Sequence, residues 1–265
     1  MSEDDRSYVP RMLTQASLPF RDGVTTDTWQ SSIGTTPLIL KSGMTVGEYG
    51  RAVPVGYPFG VFPRLLLVRL GTDAIRTGSR ELVLPESCSE FVQRLGLRAT
   101  GGSTGGVTRV RHQLIRLLSS SITFTAENTD RAATFDVTDS FTLWPLDRGE
   151  VSSDAQPAQS TIRLSPEFFE QITTAPTPVN WQTIDRLRRA PLHLDIYFWL
   201  AARARTVDTT STKQLVERFD NRSIATPQSR RSHSTAMQRA LDHLIAVDVL
   251  RRAGDGRVAL HPNAI

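Results

Sequence analysis

The stretch Arg98–Ser121, RATGGSTGGVTRVRHQLIRLLSSS, decides how the chain is read. Its glycine-rich half, Thr100–Gly106, is too permissive for a helix interior and runs into a segment with Val107, Val110, Leu114, Leu117 and Leu118 at helical spacing. Opposite them stand Thr108, Arg109, Arg111, His112 and Arg116. The pattern predicts an amphipathic helix capped at Thr104, with a cationic face and no acid up to Ser120. Such a face meets either water or phosphate, and its surroundings have to decide between them.

Upstream, Gly56-Tyr57-Pro58-Phe59-Gly60 reads as a turn cluster, and Pro63 suits the first turn of a helix over Arg64–Arg76. Ser79–Leu84 alternates as a short strand, and Ser87 with Glu90 forms a capping box for a helix ending at Gly96. Downstream the period changes: Ile122–Ala126 and Thr134–Leu143 alternate about the turn residues 127–130, a hairpin signal. Helix, strand, helix, basic helix, hairpin is the order of a winged helix.

The last third repeats this order. Thr161–Leu164 reads as a strand, Ser165-Pro166 opens a helix, and a short helix spans Trp181–Arg188. Pro191 opens an apolar helix bearing Leu194, Ile196, Tyr197 and Trp199; Thr212 caps a short one; and a longer helix is expected from about Arg230 to Val249. Arg251–His261, with Gly254-Asp255-Gly256 at its centre, reads as a hairpin. The fold class expected is α+β, with two winged-helix domains in tandem: residues 1–36 a flexible N-terminal arm, 37–160 the first winged helix, 161–265 the second.

A hydrophobic content of 39% and a charged content of 22% are those of a globular chain. The acidic, polar start MSEDDRSY lacks the features of a secretory signal, and no apolar run approaches a bilayer span, so cytoplasmic residence and no membrane contact are expected. The lone Cys88 leaves no disulfide and no multi-cysteine zinc module. Net charge is only +4, but it is unevenly placed. Residues 61–120 hold nine Arg against four acids, residues 121–160 two against seven, and residues 207–265 nine Lys or Arg against six. Two basic segments about an acidic one point to a polyanionic partner. Only Lys41 and Lys213 are lysines, and arginine is the better residue for bidentate contact with phosphate and guanine.

In the second half, Arg230, Arg231, Ser232, His233, Ser234, Gln238 and Arg239 approach the long helix with the chemistry of direct readout, since Arg pairs with guanine and Gln with adenine. An ordinary capped helix start fits the same residues. Arg251, Arg252 and Arg257 are candidate hairpin contacts to phosphate, or plain surface charge. The glycine run lacks the Gly-Lys-Ser/Thr ending of a nucleotide loop, which leaves Gly105 and Gly106 amides at a helix start as its one link to phosphate. The five histidines show no metal spacing and no catalytic carboxylate pair stands out, so no enzyme, cofactor or metal site is expected. Asp195, in an apolar helix, reads as a structural partner for an arginine or as a cap.

Tyr57-Pro58-Phe59-Gly60, Pro63-Arg64-Leu65-Leu66-Leu67, Thr72–Arg76, Ser87 with Glu90-Phe91, Thr100-Gly101-Gly102 and His112-Gln113-Leu114-Ile115-Arg116-Leu117 stand in the order of a known family. So do Leu164-Ser165-Pro166-Glu167-Phe168-Phe169, Ala190-Pro191-Leu192 and Leu194-Asp195-Ile196-Tyr197-Phe198-Trp199-Leu200. Over about residues 37–220 the chain resembles the plasmid-encoded RepA replication initiators. The resemblance implies a non-enzymatic protein with tandem winged helices that binds iteron repeats as double-stranded DNA. It also implies help in origin opening, recruitment of host initiation and helicase-loading proteins, repression at its own operator, and a homodimer in equilibrium with monomer. A winged-helix transcriptional regulator without a replication role is the other reading that the residues allow.

Overall fold

The structure, a computed structural model, describes residues 5–23, 27–31, 36–46, 48–125, 132–144, 159–204, 206–219 and 227–264, apart from the side chains of 48 and 227–233. The chain opens with strand β1 (Arg6–Val9) and the short helix α1 (Arg11–Gln15). Strands β2 (Thr28–Gln30) and β3 (Leu38–Lys41) pair antiparallel, and β4 (Met44–Val46) and β5 (Ala52–Pro54) form a separate hairpin.

Helix α2 (Val61–Thr77) starts after Gly60, holds Pro63 in its first turn, and ends on the left-handed Gly78, whose N–H reaches the Ala74 carbonyl. It buries residues almost all round, Leu65 to Val68 completely, because it lies at the centre of the molecule. Strand β6 (Glu81–Val83) leads to α3 (Cys88–Arg94), where Ser87 Oγ accepts from the Glu90 amide at 3.1 Å. The basic helix α4 (Gly106–Leu118) then buries Val110, Leu114, Leu117 and Leu118. Strands β7 (Ser121–Thr125), β8 (Ala132–Asp136), β9 (Thr138–Thr142) and β10 (Thr161–Leu164) follow.

Helix α5 (Pro166–Thr173) is capped by Ser165, whose Oγ accepts from the Phe168 amide at 3.0 Å and donates to the Asp136 carbonyl at 2.6 Å. Strand β11 (Thr177–Asn180) ends on Asn180, whose carbonyl side-chain oxygen caps α6 (Trp181–Leu187). Helix α7 (Pro191–Arg203) buries Leu194 through Ala201. Strand β12 (Thr210–Ser211), α8 (Thr212–Phe219), α9 (Pro227–Ala246) and the hairpin of β13 (Leu250–Arg252) and β14 (Arg257–Leu260) complete the chain. Gly254, Asp255 and Gly256 all take positive φ in the hairpin turn, as its sequence predicts.

The architecture is mixed α and β, and one topology occurs twice. The run α2–β6–α3–α4–β9–β10 forms a three-stranded sheet in the order β6–β10–β9, and α7–β12–α8–α9–β13–β14 forms one in the order β12–β14–β13. In each, the first strand pairs with the last, and the helix before the final strand pair carries an exposed arginine, Arg109 on α4 and Arg239 on α9. The first copy carries an insertion: β7 and β8 join β2 and β3 in a four-stranded sheet, order β2–β3–β7–β8.

Four expectations are corrected. The hairpin expected over 122–143 forms between β7 and β8 but stops at the buried Val137, whose amide turns in to the Ser120 carbonyl, so β9 enters a different sheet. A boundary at residue 160 would detach β10, the central strand of the first copy's sheet. A flexible arm over 1–36 does not describe residues 6–20. There β1 pairs with β11, and Val9, Met12, Leu13 and Leu18 are buried, because apolar side chains of that segment cover the seam between the two copies. Ser211, not Thr212, caps α8 through the Gln214 amide at 3.1 Å, while Thr212 Oγ1 donates to the Gly256 carbonyl.

The two copies are joined by a buried ion pair. Arg64 of α2, fully buried, donates from Nε to Asp195 Oδ1 at 2.6 Å and from Nη2 to Oδ2 at 2.8 Å. Its remaining N–H groups reach the carbonyls of Leu18 (2.8 Å), Gly60 (2.6 Å) and Pro19 (3.4 Å), and Phe20 packs on the guanidinium 5.3 Å from the ring centroid. All five donors are thereby met. Removing the acid alone strands a buried cation: Asp195→Ala should lower unfolding free energy by about 3–5 kcal/mol in denaturant titrations, whereas Arg64→Met with Asp195→Leu should recover most of that loss.

Between α7 and α9, His193 and His243 stack with centroids 4.7 Å apart, and His193 Nδ1 is buried without a partner. Burial, then the neighbouring His243, lowers the His193 pKa from 6.5 to about 4. The unfolded chain therefore takes up this proton first, so the contribution to stability is complete above pH 6.5 and is lost as pH falls towards 4. Thermal melts of His193→Gln should decline less steeply than the parent over that window.

Candidate nucleic-acid interface

Helix α4 presents its polar residues unequally. Arg109 and His112 are exposed, one turn apart on one stripe, and no acid pairs with either among the described residues. Arg109 lies over the Phe62 ring at 5.9 Å, which props the cation outward. The other three sequence candidates are engaged internally. Thr108 Oγ1 donates to the Gly102 carbonyl at 2.7 Å, closing the glycine loop. Arg111 is half-buried and donates to the Trp144 carbonyl at 3.3 Å, beside Cys88, whose thiol pKa is raised by burial against the opposing pull of Arg111. Arg116 bridges Asp22 at 3.0 Å, reaches the Tyr57 carbonyl at 3.4 Å and lies 5.2 Å from the Phe59 centroid.

These interactions explain the Tyr57–Gly60 turn. Its Phe59 amide donates to Gln113 Oε1 at 2.9 Å, so Gln113 and Arg116 clasp the turn that launches α2 against the buried edge of α4. Burial, with the nearby Asp22 charge, raises the Tyr57 pKa.

The glycine loop serves packing. A Cβ on Gly105 would sit 2.2 Å from the Gly101 carbonyl oxygen, and one on Gly106 2.4 Å from that of Arg98. Gly105 is also the N-cap in place of the expected Thr104, and the Gly106 amide donates to Thr100 Oγ1 at 2.8 Å while that of Gly105 reaches the Gly102 carbonyl. Both amides expected to be open to a phosphate are thus already used within the loop. Arg98, exposed at the mouth of the loop, was absent from the sequence candidates; a cation three residues before Gly101 was the signal for it.

In the second copy, Gln238 and Arg239 are exposed on α9. Gln238 Nε2 donates to Asp242 Oδ1 at 3.0 Å, and the same oxygen lies 3.5 Å from Arg252 Nη2. Asp242 was likewise missed, although its place four residues after Gln238 puts both on one face. Arg257 donates to Thr209 Oγ1 at 2.7 Å and to its carbonyl at 2.9 Å, which holds it along β12's approach. Arg251 lines a cleft with Arg203 and His261. The side chains of Arg230, Arg231 and His233 lie outside the described residues, though their backbone belongs to α9. Among the described residues no group of three or more His, Cys, Asp or Glu is placed to hold a metal, and no helix is long and apolar enough to cross a membrane.

A family model for plasmid-encoded RepA protein matches residues 57–220, more than half of the chain. The chain belongs to that family. The match spans α2 through α8, including the buried ion pair and the basic helix, whereas α9 and the final hairpin lie beyond it. Among solved structures, the chain is similar to domains 2 and 3 of RctB, with a TM-score of 0.59 and 14% identity over 95% of this chain and 98% of that one. That likeness concerns the fold. No curated protein sequence matches.

Arg109 and Arg116, seven residues apart on one helix, should behave oppositely. Arg116→Ala removes a partly buried clasp and should destabilise by about 1–2 kcal/mol in denaturant titrations, whereas Arg109→Ala should stay within about 0.5 kcal/mol of the parent.

Proposed function

We propose that this chain is a plasmid replication initiator that binds the iteron repeats of its origin as double-stranded DNA through two winged-helix units. The reading is carried by the repeated topology: each copy sets a helix with exposed cationic or amide side chains just before a strand pair, the arrangement in which a winged helix lays its third helix in the major groove. Membership of the plasmid-encoded RepA family supports the replication role. The first unit runs from α2 to β10, with the inserted sheet, and the second from α7 to β14.

Within α4, Arg109 and His112 are the foremost DNA-binding residues and Arg98 joins them. Thr108, Arg111 and Arg116 orient the helix. In the second unit Gln238 and Arg239 face bases, with Arg230, Arg231 and His233 on the first turns of the same helix, while Arg251, Arg252 and Arg257 approach the backbone from the wing. The protein acts without a cofactor, in the cytoplasm, as a homodimer in equilibrium with monomer. It helps to open the origin, recruits host initiation and helicase-loading proteins, and represses its own promoter.

A plasmid stripped of its initiator should replicate when supplied with this gene and its upstream DNA, and should be lost when Arg109 and Arg239 are both changed to Ala. In direct binding, Arg109→Ala should weaken affinity and flatten the slope of log K against log salt by about 0.9 for each phosphate that is no longer neutralised. A chain that binds only an inverted repeat at its promoter, and never sustains the plasmid, is a transcriptional regulator instead.

A further inference from the structure

Helix α9 contains a single acid, Asp242, whereas α4, in the same topological place, contains none. Asp242 is 53% exposed and stands among Gln238, Arg239 and Arg252, on the face that would meet DNA. Its Oδ1 accepts from Gln238 Nε2 at 3.0 Å and lies 3.5 Å from Arg252 Nη2, so one oxygen ties the helix to the first strand of the wing. An exposed pair of this kind adds little to folding stability, which leaves its position unexplained by the fold.

The chemistry of the position is more informative. A carboxylate beside a DNA-facing arginine repels every phosphate backbone alike and occupies a cation that would otherwise grip it. The penalty is independent of sequence. The same oxygen restrains the Gln238 amide, which reads adenine by two hydrogen bonds once it is held in the groove. Matched DNA therefore recovers through the base contact what the repulsion removes, and unmatched DNA does not.

We propose that Asp242 is a specificity-setting residue, which orients Gln238 for base reading and withholds Arg252 from the phosphates of unmatched DNA; this rests on the reading of α9 as a DNA-contacting helix. Asp242→Asn removes the charge, which lifts the repulsion from both duplexes, and leaves Gln238 a weaker, neutral acceptor, which costs the matched duplex part of its base contact and so offsets the gain there. The test is equilibrium binding of the full chain, across a salt series, to a duplex carrying the direct repeats beside its gene and to a scrambled duplex of equal composition.

Asp242→Asn should bind the scrambled duplex roughly three- to tenfold more tightly, with a salt slope steeper by about one, and the repeat duplex nearly unchanged. Adding Arg252→Ala should erase that gain. Asp242→Ala, which also deletes the acceptor, should in addition weaken binding to the repeats. Equal changes on both duplexes, or none on either, would overturn the proposal. If Gln238→Ala and Arg239→Ala leave both duplexes unaffected, α9 does not touch DNA and the underlying reading falls as well. If those two weaken binding while Asp242→Asn leaves the ratio of affinities unchanged, the assignment of Asp242 alone falls.

Discussion

The buried pair of Arg64 and Asp195 is the constraint on which the rest of the structure depends. Two charges removed from water are tolerated only where every donor and acceptor is met, and here the guanidinium spends all five N–H groups on Asp195 and on the carbonyls of Leu18, Pro19 and Gly60. One side chain thus fixes four things together: the start of α2, the path of the N-terminal segment, the turn before α2 and the position of α7. Hydrophobic packing along α2 and α7 is not directional and would permit either helix to slide or rotate, whereas a bidentate pair does not.

The N-terminal segment follows from this. With Leu18 and Pro19 tied to Arg64, the chain before them is led along the seam, where β1 adds an antiparallel strand to β11 and α1 buries Met12 and Leu13. Arg218 of α8 donates to the Gln15 carbonyl, so the second copy closes on the segment from the other side. The two copies of the repeated topology are in this way held by backbone pairing, an ion pair and apolar burial at once. The relative placement of α4 and α9 is set by these links.

Around each basic helix the acids are as telling as the cations. Asp22 draws Arg116 into a clasp with Tyr57 and Phe59, and the carbonyl of Trp144 draws in Arg111, which leaves Arg109 and His112 as the outward stripe. On α9, Asp242 gathers Gln238 and Arg252. A count of arginines along the sequence overstates the charge available to a partner, because a guanidinium with five donors is as useful for tying carbonyls together as for meeting phosphate.

The amino-acid sequence by itself determined the local features: the helical period of α4 and α7, the serine cap of α3, the left-handed turn at Gly254–Gly256, the order of helices α2 to α9 and the family. Those depend on neighbours within a few residues, and short-range sterics and hydrogen bonding settle them. It also marked Asp195 as a structural acid, without its partner 131 residues away. Only the tertiary structure decided that Val137 turns inward and ends the expected hairpin, that the N-terminal segment is a strand of the seam, and that three of five polar residues on α4 are engaged inside the molecule. Each of these rests on an interaction between segments remote in sequence, where several pairings satisfy the same periodicity and only simultaneous burial and hydrogen bonding select one.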